Sequence, residues 1–308
     1  MSAEILAFPS GGTSDRAGGT SDRPDRSGGS PGAEVPGGRR RAGAPAPVLV
    51  GCSHGTDDPA GREVIRALLD DVRAARPDLD VREAFVDVQQ PEVADVVTAV
   101  VTPAAVARGQ EGVADAARPG DTDPGAGVGR PGDAVVVPLL LSAGFHVAVD
   151  VAAAVEDRGP GTGSAAAATP LGPDPRLVAL LADRLAEAGV RPDDAVVVAA
   201  AGSSRPGAAR DVETLAAGLR ERHAGPVTVG YGAMAEPTVP DAVAAARAAL
   251  APGARVVVAA YLLAPGFFYD RVLAAGADVV TAPLAPDPRL TAIVLDRYAE
   301  AAETLAAR

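Results

Sequence analysis

The amino-acid sequence predicts an α/β protein made of two duplicated domains, each with a doubly wound parallel sheet. Short apolar runs alternate with longer segments whose apolar residues recur at helical spacing, and helical crossovers between strands require a parallel sheet. The same pattern starts again midway along the chain. The chain has 308 residues, of which 47% are hydrophobic, so it is long enough to bury two cores.

Each half is predicted to contain four strand–helix units, which are clearest in the first half. The predicted strands of that half are Val48–Cys52, Val81–Val88, Ala134–Leu141 and Ala165–Leu171. The predicted helices are Gly61–Arg76, Pro91–Val101, Val147–Val155 and Pro175–Ala188. The strands are short apolar runs typical of strands buried on both faces. The first helix has apolar residues at helical spacing from Val64 to Val72.

An internal repeat indicates that the second half is a duplicate of the first. The sequence Pro-Leu-x-Pro-Asp-Pro-Arg-Leu occurs at 170–177 and again at 283–290. Three consecutive valines lead to Gly144-Phe145-His146 in one half and to Gly266-Phe267-Phe268 in the other. The recurrences keep their order, which favours duplication over chance.

Composition divides the chain into a tail and two domains. Residues 1–46 are rich in Gly, Ser and Pro, and we predict a disordered tail. The first domain is predicted at 47–190, with a Gly- and Pro-rich loop insertion at 103–133, and the second at 191–308. The junction before Cys52 resembles a lipoprotein signal. However, Gly43, Pro45 and Pro47 interrupt the apolar run that such a signal needs, so a tail leading into a buried strand is favoured.

Composition also excludes several classes of function. The sequence contains no Lys, so all 28 basic residues are Arg, and neither a P-loop lysine nor a lysine Schiff base is possible. A formal net charge of −12 argues against nucleic acid and anionic membranes as partners. The single Cys excludes an internal disulfide and a multi-cysteine metal site, and fits a reducing, cytoplasmic location.

Two of the three histidines follow predicted strands directly. His54 comes after the first strand and His146 after the third, so both are expected at the carboxyl edge of the sheet, where doubly wound sheets bind ligands. Either imidazole alone is explained as well by a loop histidine that bonds the backbone. The pair at equivalent loop positions instead favours a site for a divalent transition metal. His223 ends a predicted helix, where it complements the helix dipole.

Other candidate residues cluster around these two histidines. Asp87 ends the second predicted strand, and its carboxylate is expected to face the same crevice, where it could accept protons or bind a metal. The alternative is that the carboxylate is simply solvated at the end of the strand. The loop before His146 brings backbone near a ligand, and the turn after His54 offers free N–H groups. The residues predicted to contact a substrate are Ser53, Gly55, Thr56, Ser142, Ala143, Gly144 and Phe145. Cys52 is expected to be a small buried hydrophobe.

The second half is expected to lack the candidate ligands. A gapless match around Arg62 and Arg210 pairs His54 with Gly202 and places Ser203 and Ser204 beside it. The other repeats pair His146 with Phe268 and Asp87 with Ala233. The pattern therefore predicts one metal site per chain, in the first domain.

These motifs resemble the sirohydrochlorin chelatase family, the small cobalt and iron chelatases. The resemblance covers residues 47–308 and rests on three segments: Val50–Thr56, Ala84–Asp87 with Pro91, and Pro138–His146. The last segment, of the form Pro-x-x-Leu-Ser-x-Gly-x-His, is the most specific. The family usually has Glu where this chain has Asp87, whose side chain is one methylene shorter.

The resemblance implies insertion of Co²⁺ or Fe²⁺ into sirohydrochlorin, in the synthesis of cobalamin or siroheme. His54 and His146 would then bind the metal or accept pyrrole protons, with Asp87 as a further proton acceptor, and the second domain would cover the substrate. No cofactor is expected besides the metal that is inserted. The other reading is a bilobed protein that binds a metal or tetrapyrrole without catalysis. The sequence leaves open the choice of metal, the arginines that bind substrate carboxylates, and the oligomeric state.

Overall fold

The computed structural model describes residues 45–103, 131–145 and 147–308; for Val147 and Ala148 it describes only the backbone. The predicted disordered tail, most of the predicted insertion and His146 lie outside the described residues. Where the insertion leaves and rejoins the described chain, the Gly132 N–H donates to the carbonyl oxygen of Val100 over 3.1 Å. The two ends of the insertion therefore lie next to each other.

Two four-stranded parallel sheets form the frame of the molecule. The first contains β1 (Val48–Ser53), β2 (Val81–Phe85), β3 (Ala134–Pro138) and β4 (Ala165–Ala167) in the order β2-β1-β3-β4. The second contains β5 (Ala195–Ala200), β6 (Val227–Tyr231), β7 (Val256–Tyr261) and β8 (Val279–Val280) in the order β6-β5-β7-β8. The predicted fold class, two duplicated doubly wound parallel sheets, is confirmed. Strand β3 ends at Pro138, three residues before the predicted end.

Eight helices are described between and after these strands. They are α1 (Pro59–Ala75), α2 (Val93–Val101), α3 (Ala152–Ala154), α4 (Pro175–Glu187), α5 (Pro206–Arg220), α6 (Val239–Ala249), α7 (Phe267–Leu273) and α8 (Pro288–Ala306). A π-helical turn, Val147–Val151, precedes α3. Capping carboxylates fix where several helices begin. For example, the Asp58 carboxylate accepts hydrogen bonds from the first free N–H groups of α1.

The helices form an inner layer between the sheets and two outer layers. Helices α2 and α3 cover the outer face of the first sheet, and α6 and α7 cover the outer face of the second. Helices α1, α4, α5 and α8 lie between the two sheets and contribute to one continuous hydrophobic core. Because this core joins both halves of the chain, its burial stabilises the two halves together.

The last helix of each half packs on the sheet of the other half. Helix α4 follows the first sheet in the chain but contacts α5 and strand β7 of the second half. Helix α8 contacts α1, β3 and β4 of the first half, and the Tyr298 hydroxyl donates to the carbonyl oxygen of Pro47 over 2.7 Å. The repeat thus exchanges helices reciprocally between its two copies.

A pair of matched arginines joins the exchanged helices to their host sheets. In α4, Arg184 donates to the carbonyl oxygens of Pro283, Leu284 and Pro286. In α8, Arg297 donates to the carbonyl oxygen of Pro170 and to the Asp174 carboxylate. These contacts fall on the two copies of the Pro-Leu-x-Pro-Asp-Pro-Arg-Leu motif, so the motif is the attachment point of the exchanged helix.

The same motif carries a second, equally symmetric ion-pair set. Arg176 bridges Asp174 and Asp296, while Arg289 bridges Asp287 and Asp183. Burial opposes ionisation of Asp174, yet hydrogen bonds from Arg176 hold the pKa of its carboxyl below the usual value. Both copies of the motif therefore stay charged and paired at neutral pH.

The hydrogen-bond pattern corrects the residue matched to His54. The Asp87 N–H donates to the carbonyl oxygen of His54 over 3.1 Å, and the Ala233 N–H donates to that of Ala201 over 2.9 Å. Gly55 and Gly202 both have φ of +90°, and a side chain at either would collide with the carbonyl oxygen of Asp87 or Ala233. The counterpart of His54 is thus Ala201, not Gly202. The helical match around Arg62 and Arg210 is offset by one residue.

Two further expectations concern groups buried or bonded inside the fold. Cys52 is fully buried in β1, and burial raises the pKa of its thiol to about 12, so it remains a neutral apolar residue as predicted. A ring nitrogen of His223, Nε2, lies 2.8 Å from the carbonyl oxygen of Asp194, in agreement with a structural role. No helix among the described residues is both long and apolar enough to span a bilayer.

Candidate active site

A cleft of about 550 Å³ opens between the two halves at the carboxyl ends of their strands. In each sheet the strand order reverses at the first strand, which leaves a crevice at the carboxyl ends of β1 and β3 in one sheet and of β5 and β7 in the other. The cleft lies at these two crevices. Both halves line the cleft, mostly with apolar side chains. A cleft of this size with mostly apolar walls suits a large, partly apolar molecule better than a small polar one.

His54 lies in the wall of this cleft, immediately after β1. Its position is set by main-chain contacts, because its carbonyl oxygen accepts the N–H of Asp87, two residues after the end of the neighbouring strand β2. The turn that follows is fixed as well, since the Thr56 N–H donates to the Gln89 side chain over 2.9 Å. The half-buried imidazole is therefore held on a rigid segment at the predicted edge of the sheet.

The main chains of Asp87 and His54 are neighbours in space. The Asp87 side chain, however, is exposed and does not line the cleft. One carboxylate oxygen accepts the N–H of Val88 over 2.8 Å. Val88 itself has a left-handed φ of +59°. The Asp87 main chain therefore lies beside that of His54, while its exposed carboxylate accepts a hydrogen bond within its own turn.

The loop after β3 contributes three of the predicted substrate contacts to the cleft, namely Ser142, Gly144 and Phe145. The Ala143 N–H points to the second half, where it donates to the Asp211 carboxylate over 2.8 Å. Phe145 is about half exposed, with a relative accessibility of 49%. His146, the second predicted ligand, follows Phe145 and lies outside the described residues.

The remaining predicted contacts do not line the cleft. Ser53 is buried as the last residue of β1, where it pairs with Phe85 and accepts the N–H of Val86. Gly55 and Thr56 shape the turn behind His54 and are absent from the lining. Strand β1 is one residue longer than predicted, which explains why Ser53 belongs to the sheet. Within the described part of the chain, no group of three or more His, Cys, Asp and Glu side chains could hold a metal.

The second half supplies most of the opposite wall. Ala201, Ser203, Ser204, Ala233, Met234 and Phe268 all line it, and Phe268 is the counterpart of His146. Met234 has a relative accessibility of 73% and a left-handed φ of +60°. The matched positions of all three candidate ligands therefore face the cleft with apolar side chains.

Two tyrosines in the cleft wall were not among the predicted site residues. Tyr231 ends β6 and Tyr261 ends β7, so their place at the carboxyl edge was a signal available in the sequence. Burial raises the pKa of both phenols, with further contributions from Glu213 at Tyr231 and from Asp211 at Tyr261. Tyr261 uses its proton to donate to the carbonyl oxygen of Leu141 over 2.9 Å, which joins the two halves at the base of the cleft.

Comparisons with known proteins identify the same architecture. The model of the CbiX family matches residues 48–108, 128–188 and 195–301. No curated protein sequence matches the chain significantly.

Three solved structures are similar in fold, each at 19% sequence identity. SirB from Bacillus subtilis with Fe³⁺ aligns with a TM-score of 0.63 over 83% of this chain and 95% of that chain. The sirohydrochlorin chelatase SirB from Bacillus subtilis subspecies spizizenii, in complex with cobalt, aligns with a TM-score of 0.58 over 84% and 96%. CbiX, the terminal enzyme of siroheme biosynthesis in denitrifying bacteria, aligns with a TM-score of 0.51 over 82% and 98%.

Proposed function

Because the chain belongs to the CbiX family, we propose that it is an enzyme that inserts a divalent metal ion, Co²⁺ or Fe²⁺, into sirohydrochlorin. The observation that carries the proposal is the position of His54 in the wall of the interdomain cleft. An imidazole fixed at that edge is a ligand suited to either metal. Two proteins of similar fold, SirB with Fe³⁺ and the sirohydrochlorin chelatase SirB in complex with cobalt, support iron or cobalt as the metal and sirohydrochlorin as the macrocycle.

In this proposal the first half binds the metal ion and accepts the protons that the macrocycle loses. His54 and His146 bind the incoming ion through neutral ring nitrogens and so replace water molecules that it loses. As the pyrrole nitrogens bind the ion, the macrocycle must lose two pyrrole N–H protons, and an imidazole or the Asp87 carboxylate accepts them. Because the Asp87 carboxylate is exposed and does not line the cleft, it acts best as a relay of protons to solvent.

The second half holds the macrocycle. Its wall contributes Met234 and Phe268, whose apolar surfaces fit the face of a flat tetrapyrrole. Ser203 and Ser204 provide polar contacts at the same edge. We propose no cofactor beyond the metal substrate, and no nucleic acid or membrane partner. A cytoplasmic location fits the reduced state expected of Cys52.

The decisive test mixes purified protein, Co²⁺ or Fe²⁺ and sirohydrochlorin and follows the absorption spectrum. A rate of spectral change well above the uncatalysed rate supports the chelatase. Tight binding of sirohydrochlorin without any acceleration would instead indicate a binding protein. Running both metals at equal concentration also decides between cobalt and iron.

A further inference from the structure

We propose that Arg205, Arg210 and Arg271 form an arginine rim that binds the carboxylates of the substrate at the mouth of the cleft. This inference rests on the proposed function, because sirohydrochlorin is a polycarboxylate and the protein carries a formal charge of −12. Such a substrate needs local cations that the protein does not neutralise itself. A planar guanidinium binds a carboxylate through two parallel hydrogen bonds.

The rim is selected by which arginines have no carboxylate partner. Most arginines in the described part of the chain form ion pairs, as in Arg62 with Asp57 and Arg255 with Asp194. Within residues 45–103, 131–145 and 147–308, those whose guanidinium forms neither an ion pair nor a hydrogen bond are Arg191, Arg205, Arg210, Arg222, Arg271 and Arg308. Half of this group adjoins the cleft, and that half is the proposed rim.

Two members of the rim lie at the start of α5. Arg205 directly follows Ser203 and Ser204, which line the cleft, and its N–H donates to the Ser203 hydroxyl over 3.2 Å. Arg210 lies one turn further along, after Ala208 and Ala209 of the cleft wall.

The Arg210 side chain folds back toward the first half. An ideal Cβ on Gly207 would lie 3.9 Å from Arg210 Nη2 and 3.9 Å from the carbonyl oxygen of Ala143. Both arginines are exposed and lie at the cleft end of α5, where the two halves meet.

Arg271 lies on the short helix that also carries Phe268. Its guanidinium carbon is 5.6 Å from the centroid of the Phe267 ring, which is exposed. Phe267 and Phe268 meet edge to face with centroids 5.4 Å apart, and Phe268 lines the cleft. The stacked ring holds the cation beside the cleft without neutralising its charge.

The chain provides a matched control on the same helix. Arg222 is exposed and equally unpaired but follows the opposite end of α5. Fifteen residues at about 1.5 Å each place it roughly 22 Å from the cleft end of the helix. Arg222→Gln changes the net charge by the same amount as a rim variant, so it controls for long-range electrostatics.

The test measures kcat and KM for sirohydrochlorin in wild type, R205Q, R210Q, R271Q and R222Q, with circular dichroism to check folding. Each rim variant is expected to raise KM about three- to tenfold with kcat nearly unchanged, and R205Q/R210Q more than either alone, while R222Q behaves as wild type. Wild-type KM should also rise with salt, and less so in the double variant. Rim variants that match R222Q in KM would overturn the proposal.

A failure of the proposed function is separable from a failure of the rim. If the wild type inserts neither metal, the chelatase assignment fails, and the same variants are then compared by their Kd for metal-free sirohydrochlorin from fluorescence quenching. Rim variants that weaken binding relative to R222Q still support the rim. Equal binding by all variants, or no binding by the wild type, refutes it.

Discussion

At the carboxyl end of its first strand, the first half places His54, whereas the second half places Ala201 at the matched position. The turn after the second strand carries Asp87 in one half and Ala233 in the other. The main-chain hydrogen bond between these two positions is nonetheless the same in both halves. The duplicate has kept the backbone frame of the turn and changed only its side chains.

The difference indicates a division of roles between two walls of one cleft. The first half contributes the His54 imidazole to the cleft, while the second contributes apolar surface and arginines that lack carboxylate partners. Only one wall therefore carries the histidine that we propose as a metal ligand. Five predictions test this comparison of the two halves, from the largest expected effect to the smallest.

The largest effect is expected at the predicted metal ligands. His54→Ala and His146→Ala should each lower the initial rate of metal insertion about 100-fold or more, because water does not replace a positioned ligand. Initial rates from absorption spectra give the measurement. Ser203→Ala, on the opposite wall, should stay within a few-fold of wild type. A fully active His54→Ala variant together with an inactive Ser203→Ala variant would show that we have assigned the metal site to the wrong half.

The second prediction concerns a feature on which the two halves agree. Arg184→Ala and Arg297→Ala should each lower the free energy of unfolding by about 2 kcal/mol, since each leaves partly buried acceptors without their donor. Urea denaturation monitored by circular dichroism gives the values. Arg247→Ala, which breaks an exposed ion pair with Asp278, should cost less than about 1 kcal/mol. A large difference between Arg184→Ala and Arg297→Ala would mean that the two exchanged helices contribute unequally to the free energy of unfolding.

The third prediction isolates the macrocycle wall. Phe268→Ala should raise KM for sirohydrochlorin about tenfold with little change in kcat, because apolar contact with the substrate is lost but the metal ligands remain. Leu273→Ala, an exposed position on the same helix, is the control and should leave KM unchanged. A fall in kcat without a change in KM would assign Phe268 to the chemical step.

The fourth prediction concerns Asp87, whose main chain is hydrogen-bonded to that of His54. Asp87→Ala should lower the insertion rate by about tenfold or less, since water partly replaces a proton relay. Asp87→Glu should keep most of the activity, because a longer carboxylate reaches the same turn. Loss of activity as severe as in His54→Ala would make Asp87 a metal ligand instead.

The smallest effect is expected for the insertion. The second half joins the matched helix and strand through Leu250–Arg255 alone, and the ends of the insertion lie side by side. Replacing 104–130 with a short Gly-Ser turn should therefore leave solubility and insertion rate unchanged. Insoluble protein after shortening would show that the segment packs against the rest of the chain.

The sequence was sufficient for the fold class, the repeat and the family, and the match to the CbiX model confirms the resemblance drawn from the motifs. His54 was placed correctly at the sheet edge because a strand end is readable from its apolar run. The one-residue error at Ala201 arose because helix periodicity tolerates a shift that strand pairing does not. Tyr261 was missed because a tyrosine at the end of an apolar strand resembles ordinary core.

The helix exchange could not be predicted from the sequence. An amphipathic pattern says that a helix has an apolar face, but it does not say which sheet that face covers. Helices α4 and α8 have the same motif before them and equivalent arginines within them, so either pairing satisfies the local pattern. Only the three-dimensional contacts decide between them.

The exchange of helices α4 and α8 between the two halves also determines how the chain unfolds. If the chain were cut between the two repeats, each fragment would keep its four strands but lose one of the two helices that cover the inner face of its sheet. Each fragment would then have to turn its own last helix back onto its own sheet or pair with the other fragment. The intact chain should accordingly lose both halves in a single cooperative transition, with no stage in which one half is folded and the other is not.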